Sequence, residues 1–346
     1  MTPEQQEASR NSEGDLRPYE RSAGLERVLA LPVEYPVQEN VIAFKFGGSS
    51  VFGAERLLHA ARLVQNESRT RPVTAVVSAM KGVTDRLLRV GKWLELGRNL
   101  QARREAESIA ELHRATLEDL HLEPEEHERV EQELALLTDD LLHESRLRER
   151  LEANAALLDR LASFGERYAA RLLAAALSKI GTLAVPVVSS DFVLTCDNFC
   201  DAKPQLEHTR RRGREILLPL LEAGIVPVVT GFIGATQDGR ITTMGRNSSD
   251  FSGALIAHVV DAEELVIWTD VDGIYTANPH ESAEAKLLHE LSYDEAHALA
   301  ASGAKVLHPQ VLPLAAQTEM TVWVRNAFKP HARGTRIGSQ QNGGLA

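Results

Sequence analysis

The chain has little cysteine: two residues in 346, Cys196 and Cys200. A C-x3-C pair with no second pair nearby is not a zinc framework, so free thiols in a reducing cytosol are the expectation. No apolar run approaches the roughly 20 residues that a membrane span needs. The N-terminus, TPEQQEASRNSEGD, is polar and acidic, without the basic-then-apolar order of a secretory leader. Positive charge is short as well. With 38 Lys+Arg against 49 Asp+Glu, the net charge of −11 argues against a nucleic-acid binder held by diffuse charge. Neither GxxxxGK[ST] nor GxGxxG occurs, which removes the ordinary P-loop and the dinucleotide fingerprint. These absences describe a cytoplasmic protein with no membrane or nucleic-acid partner.

What is present is an ordinary globular balance, 43% hydrophobic and 25% charged, in a chain long enough for one large domain or two lobes. Residues 1–38 are polar with weak periodicity and read as a flexible extension or a short docked arm. Strand-like runs follow: VIAFKF (41–46), PVTAVVSAM (72–80), TLAVPVVSS (182–190), IVPVVTGFIG (225–234), ELVIWTDV (264–271) and MTVWVRNAF (320–328). Helical patterns separate them at about 52–66, 203–222, 250–260, 293–302 and 310–317. A long helical block at 84–180 is divided near Pro124. Strands that alternate with helices, several of them unpunctuated apolar runs, predict a largely parallel sheet covered on both faces.

Four stretches could carry chemistry. In VIAFKFGGSSVFG (41–53) a lysine interrupts a run that otherwise reads as core, and two glycines and two serines follow. Glycines let backbone approach a phosphate, a following helix offers unpaired N–H groups, and Lys45 supplies a point charge. A plain strand-to-helix turn with an outward-snorkelling lysine fits the same residues, and removing an exposed strand-end lysine should cost little stability. GFIGATQDGRITTMGRNSSDFSG (231–253) passes an Asp-Gly hairpin and re-enters a helix. Ser249 or Asp250 suits an N-cap there, while Arg246 beside Asp250 offers a fork for a carboxylate and an acceptor for an ammonium, the two charged ends of an amino acid. WTDVDGIYTANPH (268–280) ends a strand in Thr269-Asp270 and turns through Asp272-Gly273 to an exposed Tyr275. Open α/β sheets bind ligands at such strand ends, although a plain turn reads equally well. GAKVLHP (303–309) adds Lys305 after a glycine suited to end a helix.

Taken in order, these segments resemble the aspartate kinase branch of the amino-acid kinase family. KFGGSS resembles its KFGGTS, and SFGERYAARLLAAAL (163–177) its substrate-binding SFGE helix. GFIG…GRNSSD resembles its GFIG…GRGGSD, VVSAMKGVTD (76–85) its SASxGxTN, and WTDVDGIYT and GAKVLHP its nucleotide segments; LSYDEA (291–296) and VWVRNAFKP (322–330) also fit. The resemblance spans 41–337. It implies a three-layer α/β/α sandwich with a largely parallel central sheet, the amino-acid kinase or carbamate kinase-like fold. It also implies phosphoryl transfer from MgATP to the β-carboxylate of L-aspartate, giving 4-phospho-L-aspartate for the biosynthesis of lysine, threonine and methionine. On that resemblance Lys45 and Asp250 are catalytic. Glu166 takes the substrate ammonium and Arg246 its α-carboxylate, with Ser78, Thr84 and Ser249 beside them. Lys45, Gly47, Gly48, Ser49, Thr269, Asp270, Tyr275 and Lys305 contact ATP, and Mg2+ rides on phosphates and water rather than on a protein ligand set.

The expected organisation is a catalytic domain over 39–340, with a lobe at 39–225 that contains the helical block and a nucleotide-binding lobe at 226–340. Departures from the family pattern qualify it. The two ACT domains usual in aspartate kinases are not expected to follow, so feedback inhibition by lysine or threonine in the usual way is not expected, and a homodimer through the catalytic domain stays open. GRGGSD has become GRNSSD, placing Asn247 and Ser248 where the family has glycines, and His280 stands where the family has an arginine near the ATP phosphates. A kinase for a related amino or carboxylic acid, or a non-catalytic regulatory or scaffold member, therefore remain alternatives.

Overall fold

The VIAFKF run becomes the centre of the sheet. In the computed structural model, which describes residues 40–145, 155–245, 248–277, 284–301 and 307–339, β1 (Ile42–Phe46) is buried at every position. It lies between β2 (Val73–Val77) and β7 (Glu264–Thr269), parallel to both. A strand paired on both edges and covered on both faces has no solvent side, which is why the run does not alternate polar and apolar. The remaining strands are β3 (Ala184–Val187), β4 (Val226–Thr230), β10 (Glu290–Ser292), β11 (Thr321–Asn326) and β12 (Thr335–Gly338). They complete an eight-stranded sheet of order β10-β12-β11-β7-β1-β2-β4-β3. Only the edge pair β10 and β12 runs against the rest.

Helices cover both faces, giving three layers. On one side α1 (Ala54–Ser68) and α5 (Ala155–Lys179) pack on the strands, and α2 (Val83–Glu95), α3 (Asn99–Leu120) and α4 (Pro124–Glu144) form a bundle with α5. Pro124 stands in the first turn of α4, where its missing N–H leaves no hydrogen bond unmade. On the other side lie α6 (Leu206–Glu222), α7 (Ser249–Val259) and α9 (Val311–Gln317), with α8 (Tyr293–Ala301) against α9. From Leu161 to Ala170 every residue of α5 is buried, as expected of a helix held between sheet and bundle. None of the helices among the described residues is long and apolar enough to cross a membrane.

Two segments depart from expectation. The run at 225–234 is not one strand: β4 stops at Thr230, and β5 (Ile233–Ala235) pairs instead with β6 (Ile241–Thr243) in a separate hairpin turned at Asp238-Gly239. The break is local. Gly231 passes so close over β2 that a Cβ would lie 3.0 Å from the Val77 carbonyl, and Phe232 takes a left-handed φ of 67°. Tyr275 is half-buried rather than exposed, because it belongs to β8 (Ile274–Tyr275), paired with β9 (Leu287–Leu288). The expected N-terminal extension lies outside the described residues.

The bundle holds a buried titratable pair. His113 of α3 stacks on Tyr168 of α5 with ring centres 4.4 Å apart, and its Nδ1 lies 2.7 Å from the Ile109 carbonyl. The Tyr168 hydroxyl pairs with Thr138 of α4 at 2.9 Å. Burial, aided by the positive Arg86, pushes the His113 pKa down to about 4. The unfolded chain therefore takes up this proton near pH 6.5, while the folded one resists until about 4, and stability from this group is lost as pH falls through that window. The loss should be on the order of 3 kcal/mol. His113→Phe, which keeps a flat ring against Tyr168, should flatten this part of the denaturation profile between pH 6.5 and 4; an unchanged slope would refute the assignment.

Candidate active site

Side chains alternate along β1, so Ile42, Phe44 and Phe46 face the α1–α5 layer and Lys45 faces α7. Lys45 is 6% exposed. Its stem runs against Gly253 of α7, where a Cβ would lie 3.0 Å from the Lys45 Cβ and 3.2 Å from its Cγ. Its Nζ ends 2.7 Å from Oδ1 of Asp250, in the first turn of α7. This corrects the expectation of an exposed strand-end lysine: the ammonium is buried mid-sheet and paired. The Asp250 side chain keeps 24% of its surface open.

The glycines after β1 serve close packing. Gly47 donates to the Trp268 carbonyl of β7 at 3.2 Å. At Gly48 a Cβ would fall 2.5 Å from the Ala79 carbonyl and 3.0 Å from the Lys81 nitrogen, and Lys81 donates to the Gly48 carbonyl at 3.1 Å. The loop after β2 thus sits directly on the glycine turn. Ser49 belongs to the single helical turn Gly48–Val51, and its carbonyl receives Arg56 Nη1 at 2.7 Å. α1 starts only at Ala54, beyond this short turn, so its N-terminal amides do not adjoin the glycines as the motif had suggested.

The same loop meets the second charged group. Glu166 of α5 is 3% exposed, and its Oε1 accepts the Ala79 N–H at 3.0 Å. α5 can come this close because its neighbour is Gly165, where a Cβ would lie 2.5 Å from the Ala79 Cβ. Oε2 of Glu166 is buried with no hydrogen-bond partner among the described residues, and the same holds for the adjacent Ser78 hydroxyl. Burial, only partly offset by the Ala79 bond, pushes the Glu166 pKa up to about 8. Thr84 stands half-buried in the first turn of α2.

At the start of α7, Ser249 and Asp250 lie inside the helix and Ser248 occupies the cap position, which corrects the expected N-cap. The Ser248 hydroxyl caps nothing: it is fully buried and has no partner among the described residues. Its carbonyl receives Ser252, whose hydroxyl in turn receives the Phe232 N–H at 2.7 Å. Arg246, Asn247, His280 and Lys305 lie outside the described residues.

Thr269 ends β7 beside the glycine turn, and Asp270 follows it. The Thr269 carbonyl accepts the Ala327 N–H at 2.8 Å, and Asp270 is exposed. Asp272 is bound by Lys329 at 2.9 Å and Asn326 at 2.6 Å, which hold its carboxyl below the usual range. The structure therefore brings Lys45, Asp250, Gly47, Gly48, Ser78, Glu166 and Thr269 to the C-terminal edge of β1, β2 and β7, and Tyr275 lies in the β8–β9 pair. Sequence reasoning missed Gly253 and Gly165. Their signal was a glycine one turn after, or directly before, a charged site residue within a helix.

The Glu166 geometry sets a pH response. Its carboxyl ionises near 4.5 when unfolded and near 8 when folded, so folded stability falls as pH rises between those values. Glu166→Gln removes that slope. Relative to wild type it should gain on the order of 4 kcal/mol from pH 4.5 to 8, read by chemical denaturation at several pH values. A constant difference between the two proteins would contradict the buried neutral carboxyl.

Residues 40–326 match the model of the amino acid kinase family. The chain is 33% identical over 297 residues to the lysine-sensitive aspartokinase 3 of Escherichia coli, covering 86% of this chain and 64% of that protein. It is 35% identical over 301 residues to the chloroplastic aspartokinase 3 of Arabidopsis thaliana, covering 85% and 52%. The solved structure of E. coli aspartokinase III in complex with aspartate and ADP aligns with a TM-score of 0.76 at 31% identity, covering 88% of this chain and 66% of that one. The chain spans about half to two-thirds of the length of the curated relatives it matches.

Proposed function

The chain belongs to the amino acid kinase family, and we propose that it transfers the γ-phosphoryl group of MgATP to the β-carboxylate of L-aspartate, forming 4-phospho-L-aspartate. The observation that carries this reading is the buried Lys45–Asp250 pair at the C-terminal end of the central strand, with Glu166 of α5 bonded to the loop that covers the glycine turn. Phosphoryl transfer asks for little covalent help. It needs in-line positioning and fixed positive charge on the equatorial oxygens. Lys45 has that charge, is held by Asp250 in the free protein, and sits where water is largely excluded, so it would act at low reorganisation cost. The relative solved with aspartate and ADP makes these two ligand classes the natural ones to test.

In this reading the Gly47, Gly48 and Ser49 backbone and Lys45 take the phosphates, and Thr269, Asp270, Tyr275 and Lys305 the rest of the nucleotide. Glu166 takes the substrate ammonium and Arg246 its α-carboxylate, with Ser78, Thr84 and Ser249 beside them. Mg2+ would arrive on the nucleotide as part of the substrate. A buried neutral Glu166 must lose its proton to bind an ammonium, so substrate affinity should strengthen as pH rises toward 8. A second reading, a kinase for a related amino or carboxylic acid, draws on Ser248. Its buried hydroxyl stands where the family pattern has glycine.

The test is hydroxylamine trapping. With MgATP and a panel of dicarboxylic amino acids, L-aspartate should give the hydroxamate. A product from another acid instead would select the second reading, and none from any acid would reject kinase activity. Lys45→Ala should lower turnover by at least about 10²-fold. It should also cost about 1–2 kcal/mol by leaving the partly open Asp250 unpaired. Near wild-type turnover would remove Lys45 from the chemistry. The KM for the amino acid should fall as pH rises from 6.5 to 8 in wild type, and a flat profile would remove Glu166 from the ammonium site.

A further inference from the structure

α5 brings a second carboxylate to this region. Asp159 lies two helical turns before Glu166 on the same face and is 1% exposed. Its Oδ2 accepts the backbone N–H of Cys200 at 2.8 Å and of Thr243 at 2.9 Å, and its Oδ1 accepts the Thr243 hydroxyl at 2.5 Å. Thr243 is the last residue of β6, a few residues before α7. The turn at Cys200, itself at a φ of 67°, presses on the same segment. Ala202 donates to the Thr243 carbonyl at 2.9 Å, and at Gly245, with φ of 87°, a Cβ would stand 3.0 Å from Asp201 Oδ1. One buried carboxylate thus joins three pieces of chain: α5, the 196–203 turn and the strand that leads to Asp250.

We infer that Asp159 is a positioning residue: it fixes the distance between Glu166 on α5 and the entry to α7, and thereby the span available to an amino-acid substrate. The inference rests on the reading above in which Glu166 and the α7 entry hold the ammonium and the α-carboxylate of that substrate. Nothing in it requires Asp159 to touch substrate. Charge-assisted bonds to two backbone N–H groups and a hydroxyl are strong enough to hold a loop, and removing their acceptor leaves two buried donors unsatisfied. A shift of about 1 Å in such a span is enough to spoil alignment in a transfer reaction.

Two variants separate positioning from mere stability. Asp159→Asn keeps an oxygen for both N–H groups and turns its amide toward the Thr243 hydroxyl, which can accept; Asp159→Ala removes all three bonds. With whichever acid the wild type phosphorylates, Asp159→Ala should raise the KM for that acid at least about tenfold while the KM for ATP stays within about twofold. Asp159→Asn should stay within about threefold on both. A fall in melting temperature with both KM values unchanged, or an Asn variant as impaired as the Ala one, overturns the inference. Should Asp159→Ala not fold, Thr243→Val removes the hydroxyl bond alone and should still raise the KM for the acid about threefold; no change would overturn it equally. Hydrogen exchange of the Cys200 and Thr243 amides needs no substrate: they should be protected in wild type and Asp159→Asn and exposed in Asp159→Ala. Amides still protected in Asp159→Ala reject the anchor. A wild type inactive on every acid rejects only the functional reading.

Discussion

The structure turns on an ammonium placed inside the central strand of a parallel sheet. Burying Lys45 without a partner would cost several kcal/mol, and the sheet offers only main chain and apolar neighbours on either side. Its partner must come from the helix layer above, and α7 supplies Asp250 at 2.7 Å. That distance is reachable only because Gly253 lets α7 settle on the lysine stem. A methyl group there would lift the helix by a few tenths of an ångström at the point where the pair closes. The pair, the glycine and the helix position are one constraint, and the entry to α7, with its unpartnered Ser248 hydroxyl, is placed by it.

α5 imposes the complementary constraint from the opposite layer. A helix buried on nearly all sides can act as a rigid reference, and this one carries two carboxylates that each fasten a different loop. Glu166 holds Ala79 and, through it, the glycine turn, while Asp159 holds Thr243 and the Cys200 turn. The two differ in how fully they are satisfied. Both Asp159 oxygens are bonded, as suits a permanent fastening. Glu166 has one bonded oxygen and one buried oxygen with no partner among the described residues. A half-satisfied buried carboxyl lowers stability in the free protein and becomes favourable once a cationic donor reaches it, which is the arrangement expected of a group that binds rather than one that only supports.

Much of this was legible in the sequence, and the failures share one cause. Apolar runs bounded by glycine marked β1, β2 and β7, and the Asp238-Gly239 dipeptide marked the β5–β6 turn. Pro124 marked the start of α4. These signals are local and survive in the fold. What was not legible depends on parts of the chain far apart in sequence. Lys45 reads as exposed until Gly253 and Asp250, more than 200 residues later, arrive over it. The apolar run at 225–234 reads as one strand until β2 crowds Gly231. Tyr275 reads as exposed until β9 pairs with its strand. Spacing within a motif shows which residue types travel together, not which of them will be buried together.

Ser248 shows how far physical reasoning can carry such a departure. Its backbone sits at φ −77° and ψ 3°, a conformation any residue adopts, so glycine is not needed at this position to relieve strain. The family pattern's glycine must therefore matter here for the room it leaves rather than for the turn it allows. Filling that room brings a hydroxyl into a fully buried position two residues before Asp250, at a cost of about 1–3 kcal/mol while it lacks a partner. A cost of that size is offset where a ligand oxygen or a neighbouring polar group meets the hydroxyl. In the proposed reading the same hydroxyl also takes up room beside the substrate. In the proposed reading the change bears on which acid fits, while the Lys45–Asp250 pair and Glu166 are in place regardless of it.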